Sequence, residues 1–294
     1  MRKISVVLLI ALTLALVGCA NNLNFAKIYN AVKQYRDKFI SAEDTVKTND
    51  SIDVNGFRVD YDLGTCRKLS GDVSVVLFYM DDFESCWSDE EMESFTEKEV
   101  RPGLEFLEKE ARLRGIDLIL DIKQCHSSFY DDEVIKSVKE TGRATIDVLD
   151  QASKGIGYNS DDEMIATLKA QYETEVVCIT VFNKNGTAYA INPHRGETLS
   201  VEEHCIVFAR DLHSEENSPI GSQASIVAHE MLHLFGAEDL YNTPERKALA
   251  RRHYPDDIML GANYFIRTND IGDATAFYIG WTDLIPDVLY NAEW

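Results

Sequence analysis

Apolar positions along the chain recur at two spacings. Val73 to Met80 (Val-Ser-Val-Val-Leu-Phe-Tyr-Met) is a short, β-branched, nearly unbroken apolar run, the pattern of a strand covered on both faces. Ile116 to Ile122, Val176 to Phe182 and Cys205 to Ala209 read the same way. Asn183-Lys184-Asn185-Gly186 carries a hairpin signal, with Ala188 to Ile191 as its returning strand. Helical spacing appears at Phe25, Ile28, Tyr29, Val32, Tyr35 and Phe39, which predicts an amphipathic helix over 23–40. Ser88 with Glu91 forms a capping box opening a mostly helical stretch to Arg114, which Pro102 should kink and Gly115 should close. Short helices are expected over 131–140 and 144–152, another from Asp161 through Leu168, and a C-terminal one over 274–281.

Strands alternate with helices until an antiparallel element intrudes. The fold class is therefore α/β (α+β), a mixed, mostly parallel twisted sheet with an antiparallel hairpin or edge strand. Residues 41–56 are polar and include Asn55-Gly56, so they read as a linker or loop. A helix is expected from about Gln223 to Phe235, with Ser222 as its cap. It is apolar nearly all round, which buries it except where a cleft opens on the side of His229 and His233.

Composition narrows the setting. The chain has 294 residues, is 45% hydrophobic and carries a formal net charge of -21, so nucleic acid and anionic surfaces are poor partners. The beginning departs from the rest. Arg2 and Lys3 precede an apolar run from Ile4 to Val17, then Gly18-Cys19-Ala20. A basic start, an apolar middle and small residues at the cut describe a secretory signal, too short for a comfortable membrane span. Leu16-Val17-Gly18-Cys19 resembles the bacterial lipobox, which implies cleavage before Cys19, lipid on its thiol and an extracytoplasmic, membrane-anchored protein. The expected organisation is a signal peptide over 1–19, an N-terminal helix and linker over 20–56, and one domain over 57–294. Five other cysteines remain; Cys178 and Cys205 sit in strand-like runs and should be buried, while a Cys66–Cys86 bridge is open.

The chemistry concentrates in residues 228 to 241, Ala-His-Glu-Met-Leu-His-Leu-Phe-Gly-Ala-Glu-Asp-Leu-Tyr. His229 and His233, four apart on a helix, share a face and can reach one metal ion. Glu230 is placed to take a proton from a water on that metal. Gly236 ends the helix with a turn that brings residue 239 back towards the histidines. This pattern resembles the metzincin zinc metallopeptidases, whose motif reads H-E-x-x-H-x-x-G-x-x-H, with Asp as the last ligand in some branches and a methionine turn downstream. The matching positions are His229, Glu230, His233, Gly236 and Asp239, and Asp257-Ile258-Met259 resembles the methionine turn with Met259 as the floor. The resemblance covers residues 225 to 261.

It implies one catalytic zinc ion held by His229, His233 and Asp239. It also implies endopeptidase activity in which Glu230 moves the proton, with a peptide or protein as substrate. Tyr264, five residues after Met259, is the candidate transition-state stabiliser. Glu238 is an alternative third ligand, and Glu245 is the one under a thermolysin-like reading. The segment Cys205 to Ala209 is expected to offer a sheet edge to an extended peptide. The other histidines read as surface or hydrogen-bonded residues, and the acidic runs at 81–82, 131–133 and 161–163 as capping and solvated groups. A different class remains open: a cell-surface binding lipoprotein whose metal site is structural or inactive.

Overall fold

The run from Val73 to Met80 lies at the centre of the fold. Val73, Val75, Leu77 and Tyr79 enter one hydrophobic core, and Val76, Phe78 and Met80 enter a second on the opposite face. A strand's side chains alternate, so an unbroken apolar strand must have a layer on each side. The computed structural model describes residues 51–54, 57–60, 68–128, 147–191, 203–211, 222–261, 265–284 and 286. The expected signal peptide with Cys19, the helices at 23–40 and 131–140, Cys66 and Tyr264 lie outside the described residues. Among the described residues, no helix is long and apolar enough to cross a membrane.

The strands are β1 (Ser51–Val54), β2 (Phe57–Asp60), β3 (Gly71–Asp81), β4 (Leu118–Ser128), β5 (Glu175–Gly186), β6 (Tyr189–Ile191) and β7 (His204–Asp211). Five of them form one mixed sheet in the order β4-β3-β5-β7-β6. Its first four are mutually parallel, and β6 lies antiparallel to β7 at the edge. The helices are α1 (Asp89–Phe95), α2 (Arg101–Leu113), α3 (Asp147–Gly155), α4 (Asp161–Tyr172), α5 (Ser222–His233), α6 (Pro244–His253) and α7 (Asp273–Tyr278). Side chains of α1, α2 and α5 fill the first core, and those of α3 and α4 the second. The fold is thus mixed α/β with a mostly parallel five-stranded sheet, as the patterning implied.

Local signals act as expected in several places. Ser88 caps α1, and its reciprocal bonds with Glu91 complete the capping box. Pro102 does not break the helix. A π-helical turn at Thr96–Val100 lets the Arg101 amide bond back to Thr96 O, and α2 continues with the proline in its first turn. Ser160 caps α4 through the amide of Glu163. Cys178 and Cys205 are buried, while Cys86 is exposed.

Four expectations are corrected. Residues 51–54 are not linker: they pair with 57–60 across two intervening positions, Asn55 and Gly56, the commonest chemistry for a two-residue hairpin. Asn183 to Gly186 is not a turn. β5 runs straight through it with a register shift between Phe182 and Asn185, and β6 pairs with β7 instead. Gly186 serves a close approach, since a Cβ there would lie 2.3 Å from the Phe208 ring. Lys184, on the same stretch, is drawn to the carboxylate of Asp82. Asp82 is itself buried rather than solvated, accepting from the amides of Glu84 and Ser85 as the chain leaves β3. Finally, β7 has a neighbour on each side, so Cys205 to Ala209 offers no free edge; β6 is the edge strand next to it, and β4 is the opposite edge.

If Gly186 is there to admit the Phe208 ring, Gly186→Ala should cost about 1–3 kcal/mol by overpacking. In urea unfolding that penalty should shrink in a Phe208→Leu background. An equal penalty in both backgrounds would point to backbone conformation rather than contact.

Candidate metal centre

α5 carries two histidines and a glutamate in the middle of the first core. Val227, Ala228, Met231 and Leu232 are buried around them, and the acidic Glu99 accepts from the Gln223 amide at the helix start. His229 and Glu230 are themselves buried, and His233 is partly so. The imidazole rings of His229 and His233 stand edge to face with centroids 4.9 Å apart.

The helix ends as the glycine foretold. Gly236 has φ +94°, its amide bonds to His233 O, and the Ala237 amide reaches back to Leu232 O. That is a Schellman ending, and it needs a residue without a Cβ penalty at positive φ. The reversal places Ala237 O 2.8 Å from His233 Nδ1. A second carbonyl, Ile258 O, lies 2.9 Å from His229 Nδ1. A carbonyl only accepts, so both Nδ1 atoms must carry the proton. In the neutral ring, Nε2 is then left with a lone pair.

Ile258 belongs to the segment that resembles a methionine turn. Ile258–Leu260 is a single 3-10 turn capped by Asp257, with Met259 buried and its carbonyl accepting from the Leu240 amide at 2.8 Å. Asp257 is buried and takes hydrogen bonds from the amides of Met259 and Gly272, both at 2.8 Å, and from the Thr275 hydroxyl of α7. One carboxylate thus ties the turn to the C-terminal helix. Burial raises the Asp257 carboxyl to about 6, against the pull of these donors.

The reversal also brings Asp239 home. Its Oδ1 lies 3.2 Å from His229 Nε2 and 3.3 Å from His233 Nε2, yet this buried oxygen has no hydrogen-bond partner. Ligand atoms of the three residues all fall within 4.8 Å of one another, and they form the one such group of metal-binding side chains among the described residues. Two imidazole lone pairs and an anionic oxygen facing each other in a buried place need a positive charge between them. Burial would lower His229, but the charges of Asp239 and Glu230 outweigh it and raise its pKa to about 9. Burial would raise Asp239, but the facing imidazoles hold it well below the ordinary carboxylate range. A proton meets the demand for charge, and a divalent cation with nitrogen and oxygen preference would meet it too.

Glu230 sits beside the group. Burial raises its carboxyl, and the neighbouring His229 and His233 oppose that shift, with a smaller opposing contribution from the Ala190 amide of β6. Glu238 turns away to Arg246 at 2.8 Å, and Glu245 is exposed in the first turn of α6, so neither joins the cluster. Pro244 does start a helix, capped by Thr243. Tyr241 is a residue whose place at the site had no signal in the spacing. Its ring lies nearly parallel to that of His229, with centroids 6.4 Å apart, and burial, with the nearby Asp239 charge, pushes its hydroxyl above the ordinary phenol range. Among the other described histidines, His126 is half-exposed and 3.1 Å from Asp81, and His204 is buried.

No family model matches the chain, and no curated protein matches it in sequence.

The Asp257 shift has a sign that can be checked. A carboxyl raised from its ordinary value near 3.9 to about 6 in the fold stabilises fully below pH ~4, and that contribution is lost as pH rises through about 6. The loss amounts to about 3 kcal/mol. Urea midpoints from pH 4 to 7 should therefore show wild type losing ground relative to Asp257→Asn. A stability difference that stays flat across this window would contradict the assignment.

Proposed function

We propose that the protein is a zinc-dependent endopeptidase of metzincin-like type, held outside a bacterial cell by lipid on Cys19. The observation that carries the reading is the unpartnered Asp239 Oδ1 facing two imidazole Nε2 atoms whose Nδ1 atoms are held by carbonyls. Two neutral nitrogens and one carboxylate oxygen, with an adjacent buried glutamate, are the donor set and base of a hydrolytic zinc site. The antiparallel edge strand β6 and the buried 3-10 turn at Ile258–Leu260 support this reading. When bound, zinc supplies Lewis acidity, acidifying water and polarising a carbonyl.

The chain's own residues do the rest. His229, His233 and Asp239 hold the ion, each imidazole locked in one tautomer by its carbonyl. Glu230 accepts the proton of the attacking water and delivers it to the leaving amine. β6 is the strand an extended peptide would pair with, since β7 is covered on both sides.

The decisive experiment is hydrolysis of casein and of unstructured peptides, with and without a chelator. Wild type should cleave and lose activity on chelation. Glu230→Gln should retain zinc while losing about 10²–10⁴-fold in kcat. Cleavage unaffected by that substitution would remove Glu230 from the chemistry, and no cleavage by a zinc-loaded wild type would leave a binding protein. Metal analysis separates the ligand candidates. Asp239→Ala should lose tightly held zinc, and Glu238→Ala should keep it; the opposite result would exchange their roles.

A further inference from the structure

The segment that carries Asp239 leads into a helix dominated by positive charge. The 29 Lys and Arg of the chain are outnumbered by 50 Asp and Glu, yet α6 holds Arg246, Lys247, Arg251 and Arg252 against Glu245 alone. Structural uses account for three of these cations. Arg246 is bonded to Glu238 at 2.8 Å with its side chain only 9% exposed. Arg251 and Arg252 stand in the last turn, where the helix dipole favours positive charge. Lys247 has neither use. It lies near the start of α6, where the dipole disfavours a cation, and one turn before Arg251, where like charges repel. Among the described residues it makes no ion pair.

Its place is nonetheless fixed against the metal centre. Arg246 ties the first turn of α6 to Glu238, the neighbour of Asp239, and the Lys247 amide bonds to Thr243 O at 2.9 Å. The Lys247 ammonium lies over the Tyr241 ring, 5.9 Å from its centroid. That ring lies at 15° to the His229 ring, with centroids 6.4 Å apart. Tyr241 is 38% exposed, and Lys247 is partly exposed. A positive charge thus stands one aromatic ring away from a histidine of the cluster, where solvent reaches it. We propose that Lys247 is a specificity-determining residue that binds a carboxylate side chain of the substrate, so that the preferred substrate is an acidic peptide. This rests on the endopeptidase reading of the metal centre.

An extended peptide advances about 3.4 Å per residue, so Lys247 stands within a few residues of a bond cleaved at the cluster. The overall charge favours a peptide over a membrane as the anionic partner. An anionic surface meets the whole molecule, whose net charge of -21 repels it. A single carboxylate touching Lys247 is screened from most of the molecule by a Debye length of about 8 Å at physiological ionic strength.

The test uses the zinc-loaded protein and quenched-fluorescence peptides that differ only in Glu, Gln or Lys, placed in turn at each position around the cleaved bond. Wild type should prefer Glu over Lys at one position by about 10-fold in kcat/KM, since attraction and like-charge repulsion each contribute up to about fivefold. Lys247→Gln should abolish that preference, and Lys247→Glu should invert it in favour of Lys. A merely structural role would not invert it, and a glutamate near a helix start is favourable, so Lys247→Glu should melt no lower than wild type. Equal rates of wild type on the Glu and Lys peptides would overturn the inference. So would a Glu-to-Lys ratio that Lys247→Glu leaves within about threefold of wild type. Binding to phosphatidylcholine vesicles containing phosphatidylglycerol is measured alongside. If Lys247→Glu abolishes that binding and leaves the peptide preference unchanged, the cation faces a membrane and the inference fails. If the zinc-loaded wild type cleaves neither casein nor any of the peptides, the endopeptidase reading itself fails, and the role of Lys247 falls with it.

Discussion

Three electron-pair donors meeting in a buried place are mutually repulsive unless a positive charge sits among them. The His229 and His233 Nε2 atoms and Asp239 Oδ1 are in that position, and much of the surrounding structure serves to keep them there. Each imidazole could in principle turn its protonated nitrogen inward. Ile258 O and Ala237 O prevent it by claiming the Nδ1 proton. Those carbonyls arrive from two different reversals of the chain, one at Gly236 and one at the 3-10 turn Ile258–Leu260. The site is therefore a property of a helix and two turns together.

The second turn depends on an expensive group. A carboxylate as buried as Asp257 is tolerated only because several donors meet it. Its partners come from its own turn, from Gly272 and from Thr275 of α7, so the C-terminal helix contributes to the site without touching it. Gly236 meets α7 as well: a Cβ there would lie 3.3 Å from Tyr278 O. The packing that closes the first core and the geometry of the ligand group are one arrangement.

Much of the fold could be read from local pattern. Val73 to Met80 announced a doubly covered strand because nothing in it tolerates water on either face, and Ser88 with Glu91 announced a helix start because both bonds are local. Gly236 was legible for the same reason, as only a residue free at positive φ ends a helix that way. The failures share a different cause. Asn183-Lys184-Asn185-Gly186 has the composition of a turn, but Phe208 and Asp82, far away in sequence, make it part of a strand. Asp82 looked solvated because its neighbours in sequence are polar, while its neighbours in space are amides and a lysine.

The candidate site divides along the same line. By itself the sequence determined that two histidines and a glutamate share the region of one helical face, that the helix is buried, and that the chain turns sharply after it. Those are consequences of the 3.6-residue period, apolar coverage and glycine's conformational freedom. Only the tertiary structure decided that Asp239 and not Glu238 or Glu245 joins them, because Arg246 claims Glu238 and α6 turns Glu245 to solvent. It also decided that β6, and not β7, is an edge strand, and that a tyrosine ring lies nearly parallel to His229. Each of these is a contact between distant segments, and no local period carries information about which distant segment will arrive.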